Sequence, residues 1–132
     1  MILTCGQIMS RIRSKNTKPE ILLRRALRGA GLAGYRLHWG RYHIDVAWPG
    51  LRVAVFVDGA FWHGKLGKTP KTNPAFWRKK FRRNAARDEE ANAALRRAGW
   101  IVIRYWDTDE RIPLGYIKRA VNGRKKARMA CL

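Results

Sequence analysis

Only nine Asp and Glu stand against 29 Lys and Arg in this chain, so a carboxylate set in an apolar stretch needs a reason, because burying one without a partner is costly. Asp45 lies between Ile44 and Val46. Two readings of it are open: an aspartate on the solvent face of a strand, or a hard oxygen ligand for Mg²⁺ beside a scissile phosphate. Asp58 closes the next apolar run, and the intervening Pro49-Gly50 turn lays the two stretches side by side. His63 follows in the same loop, and an imidazole titrates where a base that activates water must titrate. A lone histidine is more often structural, so its nearness to Asp58 carries that argument. Glu20 has a sufficient structural role in the capping-box pattern Thr17-Lys18-Pro19-Glu20. Asn84 and Asp88 fall on one helical face with Phe81 and Leu95, which directs them inward. The alternative for Asp88 is a surface pairing with Lys80, Arg83 or Arg87, worth little.

These residues need elements to hold them. Ile21, Leu23, Ala26, Leu27 and Ala30 continue from the capping box at helical spacing, and Gly29, Gly31 and Gly34 end that helix. Tyr42 to Trp48 alternates as a strand, with Tyr42, Ile44, Val46 and Trp48 on one face and His43, Asp45 and Ala47 on the other. Leu51 to Val57 is almost wholly apolar, as a strand buried on both faces is. Asn73-Pro74 opens a long helix to about Ala98, stopped by Gly99. Trp100 to Trp106 reads as a third strand. Pro113 to Val121 reads as a short helix ahead of the tail Arg124-Lys125-Lys126-Ala127-Arg128. The economical architecture is α/β, a small mixed central sheet flanked by helices in three layers. With 132 residues and no internal repeat, one domain is expected, with a basic arm over 1–16 and a basic tail over 122–132.

The formal net charge of +20 makes a polyanion the natural partner, and nucleic acid leads because phosphate neutralisation releases counterions. A bilayer-spanning role is not expected: the longest strictly apolar run is Val53 to Val57, far short of the roughly 20 residues a span needs. The start of the chain lacks a secretory pattern, and Cys5 and Cys131 read as free thiols of a cytosolic protein. The cationic stretch Arg78, Lys79, Lys80, Arg82, Arg83 and Arg87 is either a solvated face or a phosphate contact, and the net charge favours contact. Phe61-Trp62, between Gly59 and Gly64, either covers the core or wedges into a base stack.

Two acidic residues on neighbouring strands are similar to the PD-(D/E)xK nuclease pattern, although Ala60 stands where its lysine would be. A more specific resemblance is carried by Met9-Ser10-Arg11-Ile12-Arg13-Ser14-Lys15-Asn16-Thr17-Lys18-Pro19-Glu20, then Phe56-Val57-Asp58-Gly59-Ala60-Phe61-Trp62-His63-Gly64, then Asn84 through Asp88 and Gly99-Trp100. In that order they resemble the very short patch repair (Vsr) mismatch endonucleases, over roughly Met9 to Trp106. The resemblance implies a restriction-endonuclease-like fold and a bacterial, cytoplasmic, Mg²⁺-dependent enzyme, monomeric, that nicks double-stranded DNA on the 5′ side of the thymine in a T:G mismatch, alongside other mismatch repair proteins.

Residue by residue, it implies a metal-binding role for Asp45 and for the main-chain carbonyl of Val57. His63 is the implied activator of water. Glu20, Asn84 and Asp88 take supporting positions around them, and Asp58 either adds a metal ligand or orients His63. Met9, Phe61 and Trp62 are the implied wedges in the DNA stack, with Arg11, Arg13, Lys15, Lys65, Lys68, Arg78, Lys79 and Arg82 as further DNA contacts. One departure is sharp. Ala60, Lys65, Gly67 and Thr108 stand where the family's structural zinc ligands belong, and a tetrahedral site needs four N or S donors, so no zinc is expected. Two competing readings remain: a non-catalytic binder of distorted DNA, and a nuclease of other specificity, whether homing, restriction or structure-specific.

Overall fold

The computed structural model describes residues 18–59, 73–109 and 111–130. In chain order the elements are α1 (Lys18–Gly29), β1 (Arg36–Trp39), β2 (Ile44–Trp48), β3 (Val53–Asp58), α2 (Pro74–Arg97), β4 (Ile101–Trp106) and α3 (Leu114–Ala130). The strands form one sheet in the order β1-β2-β3-β4. β1 and β2 are antiparallel, as are β2 and β3, while β3 and β4 run parallel from Val53↔Ile101 to Asp58↔Trp106. A parallel pair needs a crossover long enough to return the chain, and α2 lies in that connection. This is the mixed α/β arrangement that the sequence implies.

The helices divide the sheet into two apolar faces. Leu23 and Leu27 of α1 and Ile117 and Val121 of α3 are fully buried against Val46, Trp48, Val53, Val55 and Tyr105. On the other face Leu95 of α2 packs with Ile44, Ala47, Ala54 and Phe56. β3 contributes to both clusters, as its unbroken apolar sequence requires. The Trp48 indole N–H donates to the Ala33 carbonyl at 3.0 Å, tying the segment after α1 to the sheet.

The glycine stops act as the sequence predicts. After α1, Gly31 has φ 72°, its N–H reaches the Arg28 carbonyl at 3.1 Å, and the Leu32 N–H reaches that of Leu27 at 2.9 Å. After α2, Gly99 has φ 85°, with Gly99 bonded to Arg96 at 3.0 Å and Trp100 to Leu95 at 2.9 Å. Both are Schellman motifs, in which a left-handed residue lets the last carbonyls find donors.

Four local expectations differ from the structure. The strand β1 has no counterpart in the sequence reading: Arg36–Trp39 is short, and His38 inside it takes φ 47°. Ile44 leaves the face of Val46 and Trp48 and joins the α2 cluster, so the alternation read over Tyr42 to Trp48 fails at its start. Asn73 stands at the N-cap of α2 in the left-handed region without a side-chain cap bond. α3 runs to Ala130 instead of ending near Val121, because Arg, Lys, Ala and Met are strong helix formers whatever their charge. The capping partner Thr17 lies outside the described residues. Among the described residues, no helix is long and apolar enough to cross a membrane.

Candidate functional site

Strand direction decides where the acidic residues meet. β2 begins where β3 ends, so Asp45 near the start of one and Asp58 at the end of the other lie at the same end of the sheet. The β2–β3 register covers Val46↔Val55, Ala47↔Ala54 and Trp48↔Val53. Beyond it the Val57 N–H donates to Asp45 Oδ2 at 2.8 Å. A side chain therefore takes a main-chain donor of the neighbouring strand, which fixes the carboxylate against that strand.

Three elements converge at Asp45. Glu20 from the first turn of α1, His38 of β1 and Asp45 of β2 bring one ligand atom each within 4.8 Å of one another. His38 Nε2 stands 3.6 Å from Glu20 Oε2, with both side chains largely covered. Burial pushes the Asp45 carboxyl up to about 7. The Val57 N–H and Arg104 act against that rise, while Glu20 and Asp58 add to it. The same place holds the Tyr105 hydroxyl, buried and with no hydrogen-bond partner among the described residues. Burial first, then the charges of Asp45, Asp109 and Glu20, holds the phenol proton on far above its usual range.

Arg104 organises the other side. Its Nη1 meets Asp58 Oδ1 at 2.6 Å and Asp88 Oδ1 at 3.7 Å. Its Nε donates to Asn92 Oδ1 at 2.6 Å, and its guanidinium lies 3.9 Å from the centre of the Phe56 ring. β4 thus carries into an apolar strand one cation that ties the end of β3 to α2. A cleft of about 440 Å³ is lined by Asp45, Asp58, Asn84, Asp88 and Arg104, with Arg41 also on its wall, and of the Glu20, His38 and Asp45 group only Asp45 reaches it.

The structure brings Glu20, Asp45, Asp58, Asn84 and Asp88 to one end of the sheet. Glu20 is directed at His38 and Asp45, beyond the helix-capping role that suffices for it in the sequence. Asn84 and Asp88 face the cleft, as the α2 periodicity predicts, and Asn84 Oδ1 accepts from Arg87 Nη2 at 3.2 Å. Asp58 stands outside the Glu20, His38 and Asp45 group. Arg78, Lys79 and Arg82 are exposed on α2. Met9, Arg11, Arg13, Lys15, Phe61, Trp62, His63, Lys65 and Lys68 lie outside the described residues.

Sequence reasoning missed His38 and Arg104. Arg104 carried a visible signal, a guanidinium amid Ile101, Val102, Ile103, Tyr105 and Trp106. His38 carried none, because only the pairing of β1 with β2 brings it to Asp45.

Two carboxylates and one imidazole suit a divalent cation, and the repulsion among Asp45, Glu20 and Asp58 that raises the Asp45 carboxyl is what a cation there would relieve. The donor set fits a metal ion.

Comparison with known proteins points the same way. Residues 4–68 match the family described as DNA mismatch endonuclease Vsr. The chain is 37% identical over 109 residues to a type II nicking enzyme of Xanthomonas oryzae pv. oryzae, covering 77% of this chain and 78% of that one. It is 42% identical over 103 residues to a type II nicking enzyme of Neisseria meningitidis serogroup C, covering 74% and 69%. It is 32% identical over 115 residues to the DNA mismatch endonuclease Vsr of Escherichia coli, covering 79% and 69%.

Proposed function

The chain belongs to the Vsr family of DNA mismatch endonucleases, and from that premise we propose that it hydrolyses one phosphodiester bond of duplex DNA at a T:G mismatch, with Mg²⁺ as cofactor. The observation that carries the proposal is the convergence of Glu20, His38 and Asp45, the last of which also lines a cleft walled by Asp58, Asp88 and Arg104.

In this reading Asp45 and the Val57 carbonyl hold the metal, whose charge supplies Lewis-acid polarisation of the scissile phosphate. The Val57 N–H keeps Asp45 oriented, as the 2.8 Å bond supports. Asp58, held by Arg104, acts as a positioning residue at the start of the loop that leads to His63 and not as a metal ligand. His63 takes the proton of the attacking water, and the leaving 3′ oxygen departs as the new phosphate oxygen bond forms. Asn84 and Asp88 line the cleft along α2, and Asp88 helps keep Arg104 in place. Arg78, Lys79 and Arg82 contact DNA phosphates together with Arg11, Arg13, Lys15, Lys65 and Lys68, while Met9, Phe61 and Trp62 wedge beside the mismatch. The protein acts as a monomer in a bacterial cytoplasm.

The test is nicking of a labelled duplex with one T:G mismatch and of its fully paired twin, at moderate salt, with Mg²⁺ or chelator, by the wild type and Asp45→Ala. A Mg²⁺-dependent nick at the mismatch alone, absent in the variant, is the expected result. Equal cutting of both duplexes would leave a nuclease of other specificity, and tight binding without any cutting would leave a binder of distorted DNA.

A further inference from the structure

We infer that His38 and Glu20 join Asp45 in holding the metal ion, and that the His38 imidazole shifts the site's preference away from Mg²⁺ towards first-row transition ions. The inference rests on the reading that Asp45 binds metal, and it changes which ion that site takes.

The sheet register places the histidine. Leu37 pairs with Val46 and Trp39 with Ile44, so His38 and Asp45 fall opposite one another, and opposed residues of an antiparallel pair project to the same side. The backbone of His38 is turned into the left-handed region, φ 47°, inside a strand of four residues. Such a conformation persists only where its surroundings impose it, and outliers of this kind gather at functional sites. The effect is a largely covered edge-strand side chain directed at the carboxylate of another element, 3.6 Å away.

A simple histidine–glutamate pair does not account for the arrangement. A pair of one histidine and one glutamate needs no second carboxylate. Here Asp45 is brought within 4.8 Å of both partners although it and Glu20 repel. A second observation lies against the same group. Tyr105 is only 9% exposed, its hydroxyl has no hydrogen-bond partner among the described residues, and it is within electrostatic reach of Asp45 and Glu20. A buried hydroxyl facing two carboxylates without bonding either is left with its hydrogen-bonding capacity unused by the protein.

The donor set decides between ions. Mg²⁺ takes oxygen ligands almost alone, in near-ideal octahedral geometry. Imidazole suits Fe²⁺, Ni²⁺, Cu²⁺ and Zn²⁺, and Mn²⁺, which carboxylates suit, binds mixed N and O donors most weakly of the first-row ions, so a preference for Mn²⁺ over Mg²⁺ is the stringent case. Donors about 2.1 Å from one ion lie about 3 Å apart when adjacent and about 4.2 Å apart when opposite, so ligand atoms spread over as much as 4.8 Å draw together by about 1 Å or more to share one.

The experiment uses the full chain without DNA. Mn²⁺ binding is followed by electron paramagnetic resonance and Mg²⁺ binding by competition, for the wild type, His38→Gln, His38→Asn and Asp45→Asn. Asparagine tolerates a left-handed backbone, so His38→Asn keeps the test open should His38→Gln fail to fold by circular dichroism. The expected result is Mn²⁺ binding about tenfold or more tighter than Mg²⁺ in the wild type, and a loss of about tenfold for Mn²⁺ against less than about threefold for Mg²⁺ in the His38 variants. Pulsed resonance of the wild-type Mn²⁺ complex should show nitrogen hyperfine coupling that both His38 variants lose. Absence of that coupling, or equal weakening of both ions, overturns the inference. If Asp45→Asn abolishes binding while the His38 variants leave it intact, only the role of His38 fails; if Asp45→Asn binds Mn²⁺ as the wild type does, the parent reading fails with it.

Discussion

Asp45 and Asp58 stand on neighbouring strands at one end of the sheet, yet the protein surrounds them in opposite ways. Asp58 holds a guanidinium at 2.6 Å, and the same cation reaches Asp88 and bonds Asn92. Asp45 has one backbone N–H, a second carboxylate nearby, and burial that pushes it up to about 7. One carboxylate carries its own cation, supplied by β4, while Asp45, joined by Glu20 and His38 from two other elements, is buried with no salt bridge of its own among the described residues. The contrast teaches where a reagent is wanted: a charge already compensated serves architecture, and a charge left short of compensation serves a ligand.

The contrast breaks most decisively in activity. Asp45→Ala should lower nicking on the order of 10³-fold or more with DNA affinity nearly unchanged, because a metal ligand acts on the transition state, whereas Asp58→Ala should lose no more than about tenfold. Single-turnover cleavage beside a binding titration tests this, and comparable losses would erase the distinction. Stability gives the reverse ranking. Arg104→Met removes the guanidinium that holds Asp58 at 2.6 Å and bonds Asn92, and should cost about 2 kcal/mol in urea denaturation.

A third effect is smaller and depends on pH. Folded Asp45 holds its proton more tightly than the unfolded chain does, so its contribution to stability is full below about 3.8 and is lost as pH rises through about 7. Between pH 5 and 7.5 without metal, the wild type should therefore lose about 5 °C of melting temperature relative to Asp45→Asn, which lacks that proton equilibrium. Parallel melting curves for the two would contradict it. Gly99→Ala supplies a remote control. The added Cβ would stand 3.2 Å from Arg52 Nη1 at φ 85°, which should cost about 1 kcal/mol and leave metal binding unchanged.

How much of this was legible in the sequence follows from what each feature depends on. The α1 and α2 stops were legible because a Schellman turn demands a left-handed residue at one position, and Gly31 and Gly99 stand there. β2, β3 and β4 were legible from their apolar runs. The inward face of Asn84 and Asp88 was legible because helical periodicity is local. The left-handed backbone of His38 was not, and β1 has only four residues, too few to show a period. The partnership of His38 with Asp45 depends on which strands pair and in what register, which no single stretch encodes. Arg104 could have been flagged from its apolar neighbours, but its partners sit on β3 and α2. The full length of α3 is not legible because its cationic run reads as a tail, although its residue types favour a helix.

Strand β1 occupies the edge of the sheet, hydrogen-bonded to β2 alone. An edge ladder opens with less free energy than a central one, and its amides exchange with solvent first. Any ion that took His38 and Asp45 together would clasp that edge, so its arrival would be recorded as slowed deuterium uptake over Arg36–Trp39, while α3, which packs on the sheet through Ile117 and Val121 and brings no ligand, would keep its rate. The loosest strand of the sheet would then report occupancy of the site.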